Sequence, residues 1–216
     1  MVDLYCERIS AGLWSEPVNA STNLAFFVAA WAVWELARRL RTLSTGIGIL
    51  IALIVTIGIG SSLFHTFATT WARVLDAVPI LLFQLFYLWL YSRKIIKMRS
   101  GYAVGLLLGF LVAAYVGRQF PHILNGSLIY APAFLVTLGI GLYHYCGQKH
   151  GRFDVLAAAG VFLVSVFFRT IDNAVCTSFP VGTHFLWHLL IPVVLYLFMR
   201  SLLLNLTNTS PGVTRA

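Results

Sequence analysis

The sequence predicts an all-α fold: a bundle of seven membrane-crossing helices with the N-terminus outside and the C-terminus in the cytoplasm. Three observations predict it. Of the 216 residues, 59% are hydrophobic and 10% charged, with a mean hydropathy of +0.85; a soluble globular domain carries about 25% charged residues. With seven acidic residues, the chain has too little polar surface to stay dispersed in water. A soluble enzyme, a disordered regulator and a fibrous protein are thereby excluded. Second, seven stretches approach the ~20 apolar residues needed to cross a ~30 Å hydrocarbon core. Third, the 15 basic residues divide unequally between the two ends of those stretches.

In order, span one (18–37) follows Glu16-Pro17 and stops at Arg38, Arg39 and Arg41. Span two (45–65) runs to His65, and span three (74–92) starts around Asp76, which is placed to cap it, and ends before Arg93, Lys94, Lys97 and Arg99. Span four (101–117) precedes Arg118, and span five (125–146) precedes Lys149 and Arg152. Span six (153–175) carries Arg169 and Asp172 near its far end, and span seven (182–204) contains Arg200 near its close. Eleven basic residues, with Arg215, then lie at one face and four (Arg8, Arg73, Arg118, Arg169) at the other. The positive-inside rule assigns the eleven to the cytoplasm, so the net charge of +8 reads as a topology signal and not as a nucleic-acid surface. The connections are too short for a separate soluble domain. Residues 1–204 form one membrane domain and 205–216 a polar cytoplasmic tail. No basic segment leads into a short apolar run at the N-terminus, so a cleaved signal peptide is not expected. Nothing indicates an obligate protein partner; the partner implied is the lipid bilayer.

Five carboxylates (Asp3, Glu7, Glu16, Asp76, Asp172) lie toward the outer ends, against Glu35 and Asp154 inside. His65 ends span two with Ser61 one turn deeper on the same face, and His184 and His188, four apart, share one face of span seven. Three imidazoles suffice as the protein ligands of a catalytic zinc, with water in the fourth position. An interfacial histidine alone is more often a packing residue, and HxxxH alone is weak. Three histidines, Asp76 and Ser61 converging at one depth are a stronger signal, because ionisable groups in the membrane are costly. His144 and His150, at the inner end of span five, read as interfacial residues, and Arg169 is spaced to pair with Asp172 on one face of span six.

The ordered runs Gly60-Ser61-x-x-Phe64-His65, Leu75-Asp76-x-x-Pro79, Ile171-Asp172-Asn173-x-x-Cys176 and His184-x-x-Trp187-His188 resemble the alkaline ceramidases. These are seven-span membrane hydrolases related to the adiponectin receptors. Tyr5-Cys6-Glu7 and Glu16-Pro17-Val18-Asn19 resemble the N-terminal segment of the same family. The resemblance implies a zinc amidase that cleaves the N-acyl bond of ceramide-like lipids to a sphingoid base and a fatty acid. It implies His65, His184 and His188 as zinc ligands, Asp76 as the base that takes a proton from the attacking water, Ser61 as a residue supporting the site or its oxyanion, and Trp187 in the substrate pocket. It also implies a calcium site around Asp3, Glu7 and Glu16. There the chain departs from the pattern, because Arg8-Ile9 stands where acidic and Asn residues are expected, which argues against calcium dependence.

Cys6 and Cys176 are predicted outside and Cys146 inside, and outer thiols face an oxidising compartment. The resemblance pairs Cys6 with Cys176; two free thiols remain the alternative. A receptor or other lipid-binding protein of the same fold with structural zinc is the main competing reading. Asp76 and Ser61 favour the enzyme, since structural zinc is usually closed by four protein ligands. A retinal protein needs a lysine in the last helix, and the last lysine is Lys149. A bis-histidine haem carrier using His65 with His184 or His188 stays open. A transporter would show repeats and broken helices, and no clear repeat is present.

Overall fold

The computed structural model describes residues 2–10 and 12–207. Its elements are α1 (Pro17–Thr22), α2 (Leu24–Arg39), α3 (Thr45–Phe67), α4 (Thr70–Lys94), α5 (Ser100–Arg118), a 3₁₀ segment (Ile123–Tyr130), α6 (Ala131–Cys146), α7 (Asp154–Val175) and α8 (His184–Leu206). Counting α1 with α2 and the 3₁₀ segment with α6, seven helical units among the described residues are long and apolar enough to cross a membrane. With no water to satisfy it, backbone at membrane depth closes its hydrogen bonds internally, and helices do so within one segment.

Consecutive helices pack against one another from α2 to α8, and α8 returns to α2, so the bundle is a closed ring. One half is filled by apolar side chains: Ala30, Val33 and Ala37 of α2 meet Leu50 and Ile54 of α3, and Met199, Leu202 and Leu203 of α8, all at most 4% exposed. The opposite half is hollow. A cavity runs along α8 from His184 to Phe198, about 21 Å at 1.5 Å per residue.

Three boundaries differ from the sequence expectation. The first span is two helices meeting at Asn23, with Glu16 immediately outside. α4 begins at Thr70, after the left-handed Ala68 and extended Thr69 that turn the chain from α3. Asp76 is therefore well inside α4 and is not its cap; the polar Thr69, Thr70 and Arg73 had masked the first turns. Asn205 and Leu206 belong to α8, where Asn205 donates to the carbonyls of His150 and Ser201. The expected tail otherwise falls, beyond Thr207, on residues outside those described.

Two glycines allow the close approaches on which the hollow end depends. A Cβ on Gly60 would lie 2.1 Å from the Leu75 carbonyl oxygen. Pro79 has no N–H to take that carbonyl within α4, so it faces α3, and Ser61 comes beside Asp76. Gly182 has φ +68°, and a Cβ there would lie 2.2 Å from Asp172 Oδ1 and 2.7 Å from Cys6 Cβ. A larger residue would be both strained and obstructed.

Candidate metal centre

Two helix ends meet at one end of the cavity. α3 delivers His65 in its last turn, and α8 delivers His184 and His188 in its first two. All three are buried, and one ligand atom from each lies within 4.8 Å of the others. Among the described residues this is the group of His, Cys, Asp and Glu side chains able to hold a metal ion. The ring centroids of His184 and of His65 each lie 4.6 Å from that of His188, at steep interplanar angles. The rings thus surround a common point and do not stack in a column.

The outer nitrogens explain why the inner ones converge. His65 Nδ1 lies 2.5 Å from Glu16 Oε2, and His188 Nδ1 lies 3.2 Å from Thr22 Oγ1. The Thr22 hydroxyl donates to the Val18 carbonyl and so accepts from the imidazole. Each Nδ1 is then the protonated nitrogen, and each Nε2 is left with a bare lone pair. His184 Nδ1 is buried with no hydrogen-bond partner. A buried imidazole with an orphaned nitrogen, grouped with two whose Nε2 is bare, fits a metal ion: neutral imidazole is a common metal ligand, and three leave a fourth position open on zinc.

Glu16 is itself held. Arg8 donates to Glu16 Oε1 from Nε at 2.5 Å and to the His65 carbonyl from Nη2 at 2.8 Å, and Asn19 Nδ2 donates to Glu16 Oε2. Burial alone would raise the Glu16 carboxyl; His65 and Arg8 outweigh it and hold it below the usual carboxylate range. The chain Arg8–Glu16–His65 is the carboxylate–histidine arrangement that orients metal ligands. The sequence does not show it because Arg8 and His65 are 57 positions apart; there Arg8 reads as one of four outer basic residues and as a departure from an acidic pattern.

The remaining expected residues divide. Ser61 and Asp76 line the cavity with Trp187, and Asp76 lies beside Ser61 and within the field of His65. Trp187 packs against Tyr130 and Phe162. Tyr5, which the sequence had flagged only as part of a motif, stacks on His184 at 3.5 Å between centroids. Cys6 and Cys176 form a disulfide with Cα atoms 5.2 Å apart, tying the N-terminal segment to the end of α7. Asp3, Glu7 and Glu16 are not gathered into a cation site. Asp3 is exposed, Glu7 accepts the backbone N–H groups of Val18 and Asn19 at the start of α1, and Arg8 already supplies the positive charge facing Glu16.

The expected Arg169–Asp172 pair does not form. Asp172 is fully buried and accepts from the backbone N–H groups of Cys6, Thr183 and His184, which fixes the start of α8. Arg169 turns the other way, to Asn125 and Ser127. His144 is likewise no interfacial residue. It is fully buried, with Nε2 bonded to the Tyr91 hydroxyl and Nδ1 lying 3.3 Å from Ser201 Oγ.

With this geometry in hand, comparison with protein families identifies the chain. A family model described as Ceramidase matches residues 5–212, and the chain belongs to that family. Membership implies a hydrolase acting on amides. Comparison with curated proteins gave no match.

Proposed function

Proceeding from membership of the ceramidase family, we propose that the protein is a zinc-dependent intramembrane amidase. It hydrolyses the N-acyl bond of ceramide-like lipids, releasing a sphingoid base and a fatty acid. The observation that supports this most is the position of the three-histidine group. It sits at one end of a long apolar cavity whose lining includes a carboxylate and a hydroxyl, of Asp76 and Ser61.

His65, His184 and His188 would hold zinc, which when bound polarises an amide carbonyl and brings a water's pKa to about 7. Asp76 takes the proton of the attacking water and returns it to the leaving amine. Ser61 supports Asp76 from α3 or donates to the oxygen on which charge develops. Glu16, backed by Arg8, keeps His65 from turning. Phe83, Phe110, Phe162, Val194 and Leu195 line the deeper wall, where an acyl chain lies parallel to the helices and water is displaced. Asp172 is not an alternative base, because its carboxylate is taken up by three backbone N–H groups. The basic asymmetry supports a site toward the extracytoplasmic face of a multi-pass membrane protein.

Metal analysis of the purified protein combined with hydrolysis of a fluorescent N-acylsphingosine tests the reading. The expected result is one zinc per chain and release of fatty acid that stops on chelation and returns with zinc. Turnover that persists in fully metal-free protein would overturn it.

A further inference from the structure

The cavity wall carries a cation that the hydrolytic chemistry does not use. Arg169 of α7 lines the cavity alongside Tyr5, Tyr130 and His184. Its Nη1 donates to Ser127 Oγ at 2.7 Å and to the Asn125 carbonyl at 3.2 Å. Those acceptors are presented by a turn in which Leu124, Asn125 and Gly126 all have positive φ. The guanidinium carbon lies 5.1 Å from the Tyr130 ring centroid, and the Tyr5 phenol is close by. The side chain is therefore held at one end. Its Nε is buried and has no hydrogen-bond partner.

Among the described residues Arg169 takes part in no ion pair. The nearest carboxylate in sequence, Asp172, is committed to backbone N–H groups. Contrast Arg8, whose charge is met by Glu16, and Arg200, met by Asp154. A charge at membrane depth is costly and is ordinarily paired or faces a functional cavity. Arg169 is the case that faces the cavity, and a guanidinium whose Nε has no partner can meet a carboxylate in a charge-assisted hydrogen bond. The phenol oxygens of Tyr5 and Tyr130 lie within hydrogen-bonding reach of the guanidinium, so an anion bound at Arg169 meets them as well.

We propose that Arg169, with Tyr5 and Tyr130, forms a carboxylate-binding subsite beside the metal centre, so that the cavity takes acyl lipids carrying a carboxylate. The carboxylate has two sources: the head group of an N-acyl amino acid substrate, or the fatty acid left after hydrolysis. The choice between them rests on the amidase reading above; the subsite itself does not.

Binding is measured first, on the metal-loaded protein in detergent, with oleate and its uncharged counterpart oleyl alcohol. Oleate is expected to bind about tenfold or more tightly, the scale of a charge-assisted hydrogen-bonded pair. Arg169→Gln should lose about tenfold in oleate affinity and none in oleyl alcohol affinity. Equal affinity for the two ligands in the unaltered protein overturns the proposal whether or not the variant folds. So does an Arg169→Gln protein that binds oleate as the unaltered one does. Turnover then separates the sources. A head-group subsite gives N-oleoylglycine a higher kcat/KM than N-oleoylethanolamine, and Arg169→Gln erases the preference. A product subsite gives no preference, and oleate inhibits Arg169→Gln about tenfold more weakly than the unaltered protein. If neither amide is hydrolysed, the amidase reading fails for these substrates, and the binding comparison still decides the subsite.

Discussion

A single buried histidine, His144, and a group of three lie at opposite ends of the bundle, and they differ in what their nitrogens leave over. At the filled end His144 is fully buried, and both its ring nitrogens meet hydroxyls, of Tyr91 and Ser201. At the hollow end His65 and His188 spend Nδ1 on Glu16 and Thr22, His184 Nδ1 has no partner, and one ligand atom of each ring lies within 4.8 Å of the others. Burial is the same in both places. A satisfied buried histidine rigidifies packing; a set with lone pairs left over and aimed at one point is a place for an ion. Depth in the membrane marks a residue as costly, and only its hydrogen-bond ledger shows whether the cost serves structure or chemistry.

The comparison breaks most visibly if the two ends are exchanged by mutation. His184→Ala or His188→Ala should abolish both metal retention and hydrolysis, measured by metal analysis and fatty-acid release. Replacement of His144 should leave metal content at that of the unaltered protein. Loss of metal from a His144 variant that remains folded would erase the distinction.

A smaller but still large effect is expected at Asp76. Asp76→Asn keeps the shape and removes the basic oxygen, so hydrolysis should fall about 10²–10⁴-fold with metal still bound. Full turnover per metal ion in this variant would remove Asp76 from the chemistry. Glu16 sharpens the comparison next. Glu16→Gln keeps an acceptor but not the charge that fixes His65, and metal affinity in a chelator competition should drop about 10–100-fold. Unchanged affinity would mean that His65 is oriented by packing alone.

The smallest effect belongs to the filled end. Tyr91→Phe leaves a buried histidine nitrogen unpaired and should cost about 1–3 kcal/mol of stability, read as a lowered Tm. Metal affinity and kcat should not move; a coupled loss of metal would show that the two ends communicate through α8, which carries Ser201 and two of the three ligands.

Much of this was legible in the chain of residues. The seven spans could be counted because each must supply its own apolar length. His65, His184 and His188 stood out because HxxxH on one helix and a histidine ending another mark one depth. Ser61 and Asp76 were readable as neighbours of that depth, although Asp76 looked like a helix cap because Thr69, Thr70 and Arg73 obscured the first turns of α4. His144 was misread because an inner-end histidine has the same sequence context whether it meets lipid head groups or the hydroxyls of Tyr91 and Ser201. The Arg169–Asp172 pair was misread for a related reason: i,i+3 spacing puts two side chains within reach, but three backbone N–H groups from distant segments hold the Asp172 carboxylate.

By itself the sequence determined the class of protein, the number of spans, the common depth of His65, His184 and His188, and the residue types able to bind a metal. Those follow from hydrophobic length, charge placement and helical period, each a local property of consecutive residues. The tertiary structure alone decided which polar groups spend their hydrogen bonds on one another and which face the cavity. It put Arg8 behind Glu16, turned Asp172 onto the start of α8, and left Arg169 on the cavity wall without a carboxylate partner among the described residues. Hydrogen bonds act over about 3 Å, and the partners here lie up to 166 residues apart in sequence, so only the closed ring of helices brings them within reach.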